Sequence, residues 1–131
     1  MDVRTEDFEQ AVIERSRELP VVVDFWAAWC APCRMLGPAL EGEAGKRAGL
    51  LELVKVDVDA EPGVAARYGI QSIPTVVAFR DGEPLTGFIG AHPARVIGDF
   101  FDQHVLEQGA GERAQAEVAA AGGPAVAEVL R

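Results

Sequence analysis

Two cysteines separated by two residues, Cys30-Ala31-Pro32-Cys33, are the side chains best suited to chemistry in this chain. They follow an apolar run, Val21-Val22-Val23-Asp24-Phe25-Trp26, and Ala27-Ala28-Trp29 carries the chain around a corner between the two. The β-branched run reads as a buried strand. Pro32 suits the first turn of a helix continuing through Arg34-Met35-Leu36. At such a corner a Cys-x-x-Cys pair signals redox chemistry rather than packing. A helix start leaves N–H groups unpaired and its dipole favours negative charge, so Cys30 should ionise more readily than a free thiol, whose pKa is about 8.5.

Two other uses compete for the pair. A zinc site needs four ligands, and beside carboxylates only His92 and His104 remain, far downstream and not at zinc-ligand spacing. A structural disulfide across so short a loop would constrain little of the unfolded chain. No metal is therefore expected, and the only redox group implied is the cysteine pair itself.

The elements that position the pair come next. At 131 residues the chain is expected to hold one folded domain with a core of its own. Its 49% hydrophobic and 25% charged residues are ordinary for a globular protein. A net charge of −9 argues against nucleic acid and anionic membrane as partners, because both call for basic patches. The N-terminus is polar with no apolar signal core behind it, and no apolar run approaches membrane-spanning length. A cytosolic location is the expectation, where such a pair would cycle rather than stay oxidised.

Thr5 is placed to cap a first helix, with Glu6 and Asp7 in its first turn and Pro20 at its end; any strand before it would be very short. In the strand Val21–Trp26, alternation sets Val21, Val23 and Phe25 on one face and Val22, Asp24 and Trp26 on the other. Helices on both faces would force Asp24 inside, where desolvation raises its pKa and makes it a candidate base beside the thiols. The helix from about Pro32 towards Arg47 contains Pro38, which should kink it, and three glycines that weaken it. Leu50–Val58 reads as a second buried strand, parallel to the first through a right-handed crossover. Lys55 within it is either a solvated strand end or an ion-pair partner of Asp24.

A short helix from Pro62 to Tyr68 closes at Gly69, and a third strand runs from Ile73-Pro74 to Arg80. Asp81-Gly82 is a two-residue hairpin turn, and the returning strand from Pro84 to Ile89 belongs at an edge. The last helix offers Val96, Ile97, Phe100, Phe101, Val105 and Leu106 as its apolar side. His92 and His104 read as a cap and a helix-face residue. Beyond Gln108 the composition shifts to Gly and Ala, either a flexible tail or two short helices. Residues 1–108 are thus read as the folded domain and 109–131 as an Ala/Gly-rich extension.

Val-Asp-Phe-Trp-Ala-Ala-Trp-Cys-Ala-Pro-Cys, Pro38, Lys55-Val56-Asp57-Val58-Asp59, Tyr68-Gly69-Ile70, Ile73-Pro74-Thr75 and Gly90-Ala91 together closely resemble the thioredoxin family, over roughly residues 5 to 107. The resemblance implies an α/β fold with a central mixed sheet of four to five strands flanked by helices on both faces. It implies that Cys30 is the attacking nucleophile and Cys33 the resolving thiol, with Asp24 the buried carboxylate that helps deprotonate Cys33 and Lys55 its ion-pair partner. Pro74 matches the family's cis-proline, although an Ile–Pro bond is trans by default. Trp29, Pro32, Val58, Ile73, Pro74, Gly90 and Ala91 are implied as the substrate-receiving surface.

The implied activity is thiol–disulfide exchange that reduces disulfide-containing protein substrates, with recharging by a thioredoxin reductase. Ala31 stands where the family usually has glycine, which bears on the redox poise. The competing functions are a co-chaperone or holdase using the extension, and an oxidase or isomerase with a more oxidising pair.

Overall fold

The computed structural model describes residues 1–107. The proposed division at residue 108 and the extension beyond it therefore lie outside the described residues. The elements run in the order α1 (Thr5–Phe8), β1 (Val21–Trp26), α2 (Ala31–Gly45), β2 (Glu52–Asp57), α3 (Pro62–Arg67), β3 (Thr75–Arg80), β4 (Glu83–Ile89) and α4 (Ala94–Phe100). Helix α1 continues through wider π-type turns over Glu9–Glu14 and a 3₁₀ turn over Arg15–Arg17, and α4 continues the same way over Phe101–Leu106.

The four strands form one mixed sheet in the order β2-β1-β3-β4. β1 and β2 are parallel, joined by α2, and β3 runs antiparallel to both β1 and β4. The very short strand expected before Thr5 is a single bridge from Asp2 to Lys55.

Alternation along β1 divides the core as the sequence predicts. Val21, Val23 and Phe25 pack with Phe8 and Val12 from the α1 segment and with Val64 and Tyr68 from α3 and its end. Val22 joins Leu36 and Leu40 of α2 and Ile97, Phe101 and Val105 of the α4 segment on the opposite face. Three rings, Phe8, Tyr68 and Phe79, meet at centroid separations of 5.1–5.7 Å in tilted or edge-on geometry. Burying such a ring contributes about 1.5–3 kcal/mol relative to leaving it in water.

Turn chemistry fixes the β3–β4 hairpin. Asp81 and Gly82 both take positive φ, 53° and 85°, the pairing a two-residue turn of this hand demands. Further along β4, a side chain on Gly87 would stand 2.5 Å from the Val76 carbonyl oxygen, so only glycine lets the two backbones approach.

Several boundaries differ from the sequence expectation. Thr5 is not the cap: Arg4 occupies that position, and the Thr5 N–H donates to Glu61 Oε1 at 2.8 Å. A carboxylate distant in sequence thus does what a local cap would do. β2 starts at Glu52 rather than Leu50, because Leu50 is still in the turn that follows α2 and is exposed. Val96 also departs from its assigned apolar side and is exposed, while Ile97, Phe100, Phe101 and Val105 are buried. Helix α2 runs through Pro38 without ending. No helix among the described residues is long and apolar enough to cross a membrane.

Candidate active site

Cys30 is the capping residue of α2, with extended backbone, and Cys33 lies in the first helical turn. The two are joined in a disulfide three residues apart, with Cα atoms 5.3 Å apart. The Cys33 N–H donates to Cys30 Sγ at 3.2 Å. After reduction the same N–H is aimed at the Cys30 thiolate, adding a hydrogen bond to the effect of the helix dipole. Both cysteines are buried, and they pack with Ala27, Trp26, Val58 and Ile73.

The Ile73–Pro74 peptide is cis. The Ile73 carbonyl oxygen lies 3.9 Å from Cys30 Sγ, a contact rather than a hydrogen bond, because the oxidised sulfur has no proton to donate. Pro74 is buried, and its carbonyl accepts from the Gly90 N–H at 2.9 Å, which draws the end of β4 to the same place. Gly90 adopts φ 99°, a conformation that favours glycine. Trp29 is 68% exposed and its indole N–H donates to Asp59 Oδ2 at 2.6 Å, so a large apolar face is pinned open beside the pair. Pro32 is exposed in the first turn of α2, and Ala91 is exposed just after Gly90.

Asp24 is 1% exposed, and its Oδ1 has no hydrogen-bond partner among the described residues. Burial pushes its carboxyl up to about 6; Lys55 opposes that rise and Glu41 adds to it. Register sets Lys55 directly beside Asp24 across β1 and β2. The two do not form a contact ion pair, since no nitrogen–oxygen approach within 4 Å joins them. The Lys55 ammonium lies instead over the Trp26 ring, 4.3 Å from its centroid.

The pair, Val58 and Ile73 are therefore brought into one cluster, with Pro74 and Gly90 linked to it and Trp29 held at its edge. Sequence reasoning missed Asp59 as the partner of Trp29, though the Asp57-Val58-Asp59 motif was in view. It also missed Glu41, a surface helix residue whose influence on Asp24 needs the helix to be placed over the strand. Among the described residues, no group of three or more His, Cys, Asp or Glu could hold a metal ion.

A disulfide closing a loop of this length adds little constraint to the unfolded chain, so its use lies in exchange. Fold and pair together define a thiol–disulfide oxidoreductase. The Thioredoxin family model matches residues 1–103. The chain is 43% identical over 98 residues to "Thioredoxin 1" of Synechococcus elongatus, covering 75% of this chain and 90% of that protein. It is 44% identical over 84 residues to "Thioredoxin" of Staphylococcus epidermidis and 42% over 84 residues to that of Staphylococcus aureus, in each case 64% of this chain and 81% of the relative. The chain belongs to the thioredoxin family, and it is a protein-disulfide reductase working through Cys30 and Cys33.

Proposed function

We propose that the protein is a general reductant of disulfide-containing proteins in the cytosol, recharged by a thioredoxin reductase. The Cys30 thiolate attacks one sulfur of the substrate disulfide, and the other substrate sulfur leaves as a thiolate that takes up a proton. Cys30 is then joined to the substrate in a mixed disulfide. Asp24 accepts the proton of the Cys33 thiol, and the Cys33 thiolate attacks Cys30 Sγ. The second substrate sulfur departs and is protonated. Two electrons have passed to the substrate, and Cys30–Cys33 is left oxidised. Two electrons and two protons from the reductase restore the dithiol.

The single observation that carries this reading is the disulfide built into the first turn of α2, with an N–H aimed at Cys30 Sγ. Asp24 supports it, because a carboxyl raised to about 6 takes up protons near neutral pH. Trp29, Pro32, Val58, Ile73, Pro74, Gly90 and Ala91 serve as the surface for an extended substrate segment, with the exposed Trp29 face as its most prominent apolar part. Lys55 serves as the cation that tunes Asp24.

The test is a redox titration of the Cys30–Cys33 pair in thiol buffers, followed by tryptophan fluorescence. A two-electron transition near about −270 mV, with reductase-dependent turnover of a protein disulfide, is expected. A midpoint near about −120 mV would place the protein among oxidases instead. Protection of unfolded clients that survives Cys30→Ser would favour the co-chaperone reading.

A further inference from the structure

The Lys55 ammonium has two neighbours that the mechanism above leaves unused. One is the indole of Trp26, whose centroid is 4.3 Å away. The other is the backbone of α2 at Gly37, where even an added Cβ would stand 3.8 Å from Lys55 Nζ. Asp24, Trp26 and Lys55 lie on one face of the sheet: alternation sets Asp24 and Trp26 together, and register sets Lys55 beside Asp24. The ammonium is thus held in a slot between an aromatic face and a side-chain-free patch of helix, close to the carboxyl but not touching it.

We propose that Trp26 is a positioning residue for the exchange reaction: its ring face fixes the Lys55 ammonium beside Asp24 and so sets the pH at which Asp24 gives up and takes back its proton. This deepens the base role given to Asp24 and rests on that reading for its effect on rate. The physical logic is a balance. A contact ion pair would lock the carboxyl ionised, and an ammonium swung into water would leave burial unopposed. A cation against a tryptophan face is held at a fixed distance with a modest attraction, strongest for tryptophan among the aromatic side chains. Trp26 is itself partly buried, and its Nε1 has no hydrogen-bond partner among the described residues, so the ring makes its contribution through its face. The other charged groups around this cluster are Glu41 on α2, Asp2 and Arg4 before and at the start of α1, and Asp57 and Glu61 from β2 and the turn after it.

The test reads the Asp24 midpoint directly, by NMR of carboxyl-labelled aspartate in the reduced and oxidised protein. Four chains are compared: wild type, Lys55→Met, Trp26→Phe and Trp26→Leu. Lys55→Met should raise the midpoint by roughly one unit, because it removes the cation outright. Trp26→Leu should raise it by most of that amount, and Trp26→Phe by less, in the order of ring strength. The double variant Trp26→Leu/Lys55→Met should show no rise beyond Lys55→Met. The pH profile of mixed-disulfide resolution should move upward with the midpoint.

A midpoint unmoved or lowered in Trp26→Leu, or a shift that adds to that of Lys55→Met, overturns the proposal. If Trp26→Leu does not fold, a wild-type midpoint in Trp26→Phe overturns it as well. Failure of the base role is separate: it would appear as Asp24→Asn resolving at the wild-type rate, whatever the midpoints do.

Discussion

Helix α2 has a buried carboxylate near each end of its packing surface, and the two are treated in opposite ways. Under its N-terminal half, Asp24 on β1 is sealed from solvent with Oδ1 unpartnered and its cation held off on Trp26. In its C-terminal half, Glu43 is also mostly buried, but Lys46 and Arg47 bind its carboxylate at 2.9 and 3.1 Å. Arg47 goes on to grip both oxygens of Asp102 at 2.8 and 2.9 Å and the Gly98 carbonyl at 3.3 Å, which ties α2 to α4 and the turns after it. Partnered charge holds Glu43 and Asp102 below the usual carboxylate range, whereas burial drives Asp24 above it. A saturated cluster fixes helices in place, and an unsaturated one keeps a proton mobile.

The largest effects should come from the N-terminal side. Cys30→Ser should abolish turnover of a protein disulfide, and Cys33→Ser should stop the reaction at a mixed disulfide that mass spectrometry detects. Neither should disturb the Glu43–Arg47–Asp102 cluster. Asp24→Asn should slow resolution about 10²-fold at pH 7 and spare the first attack, as rapid-mixing kinetics would show. Equal slowing of both steps would remove Asp24 from its role and erase the contrast.

Stability should move the other way at the two ends. Asp24 has a folded pKa raised from 3.8 to about 6, so the native state binds more protons than the unfolded chain in that interval. Its contribution is intact below the unfolded value and is lost as pH rises through about 6. At neutral pH the cost approaches about 3 kcal/mol, comparable to the gain from one well-buried side chain. Asp24→Ala should therefore be more stable than wild type to denaturant at pH 7.5, with the difference vanishing below about pH 4. Lower stability of Asp24→Ala at pH 7.5 would count against a costly buried carboxyl.

Glu43 and Asp102 have lowered pKa values, so their stabilisation is present above the ordinary carboxylate range and fades as pH falls through it. Arg47→Ala should lower the thermal midpoint at pH 7 by roughly 5 °C and leave turnover intact. A large loss of turnover in that variant would show that the two ends are not independent. The smallest change is expected for Gly98→Ala. Its methyl would meet Glu43 Oε1 at 2.7 Å and Arg47 Nη2 at 3.2 Å, both the far ends of long side chains rather than backbone.

The chain's own order of residues determined a good deal. The apolar run of β1 and its alternation, the Asp81-Gly82 turn, the edge position of β4 and the cysteine pair at a helix start are all local patterns, and local sterics and periodicity are what a sequence records most directly. Burial of Asp24 also followed, because its neighbours on both faces are apolar. Where Lys55 would place its ammonium was open, since both a strand end in water and an ion pair suited the same letters. Only the crossing of α2 over β1 and β2 settled it, by presenting Gly37 on one side while Trp26 offered its face on another. The cap of α1 was decided the same way, by Glu61 arriving from the start of α3, which packs on the same face of the sheet. Hydrogen bonds and charge contacts between residues distant in sequence depend on distances of a few tenths of an ångström, and those distances exist only once the elements have packed.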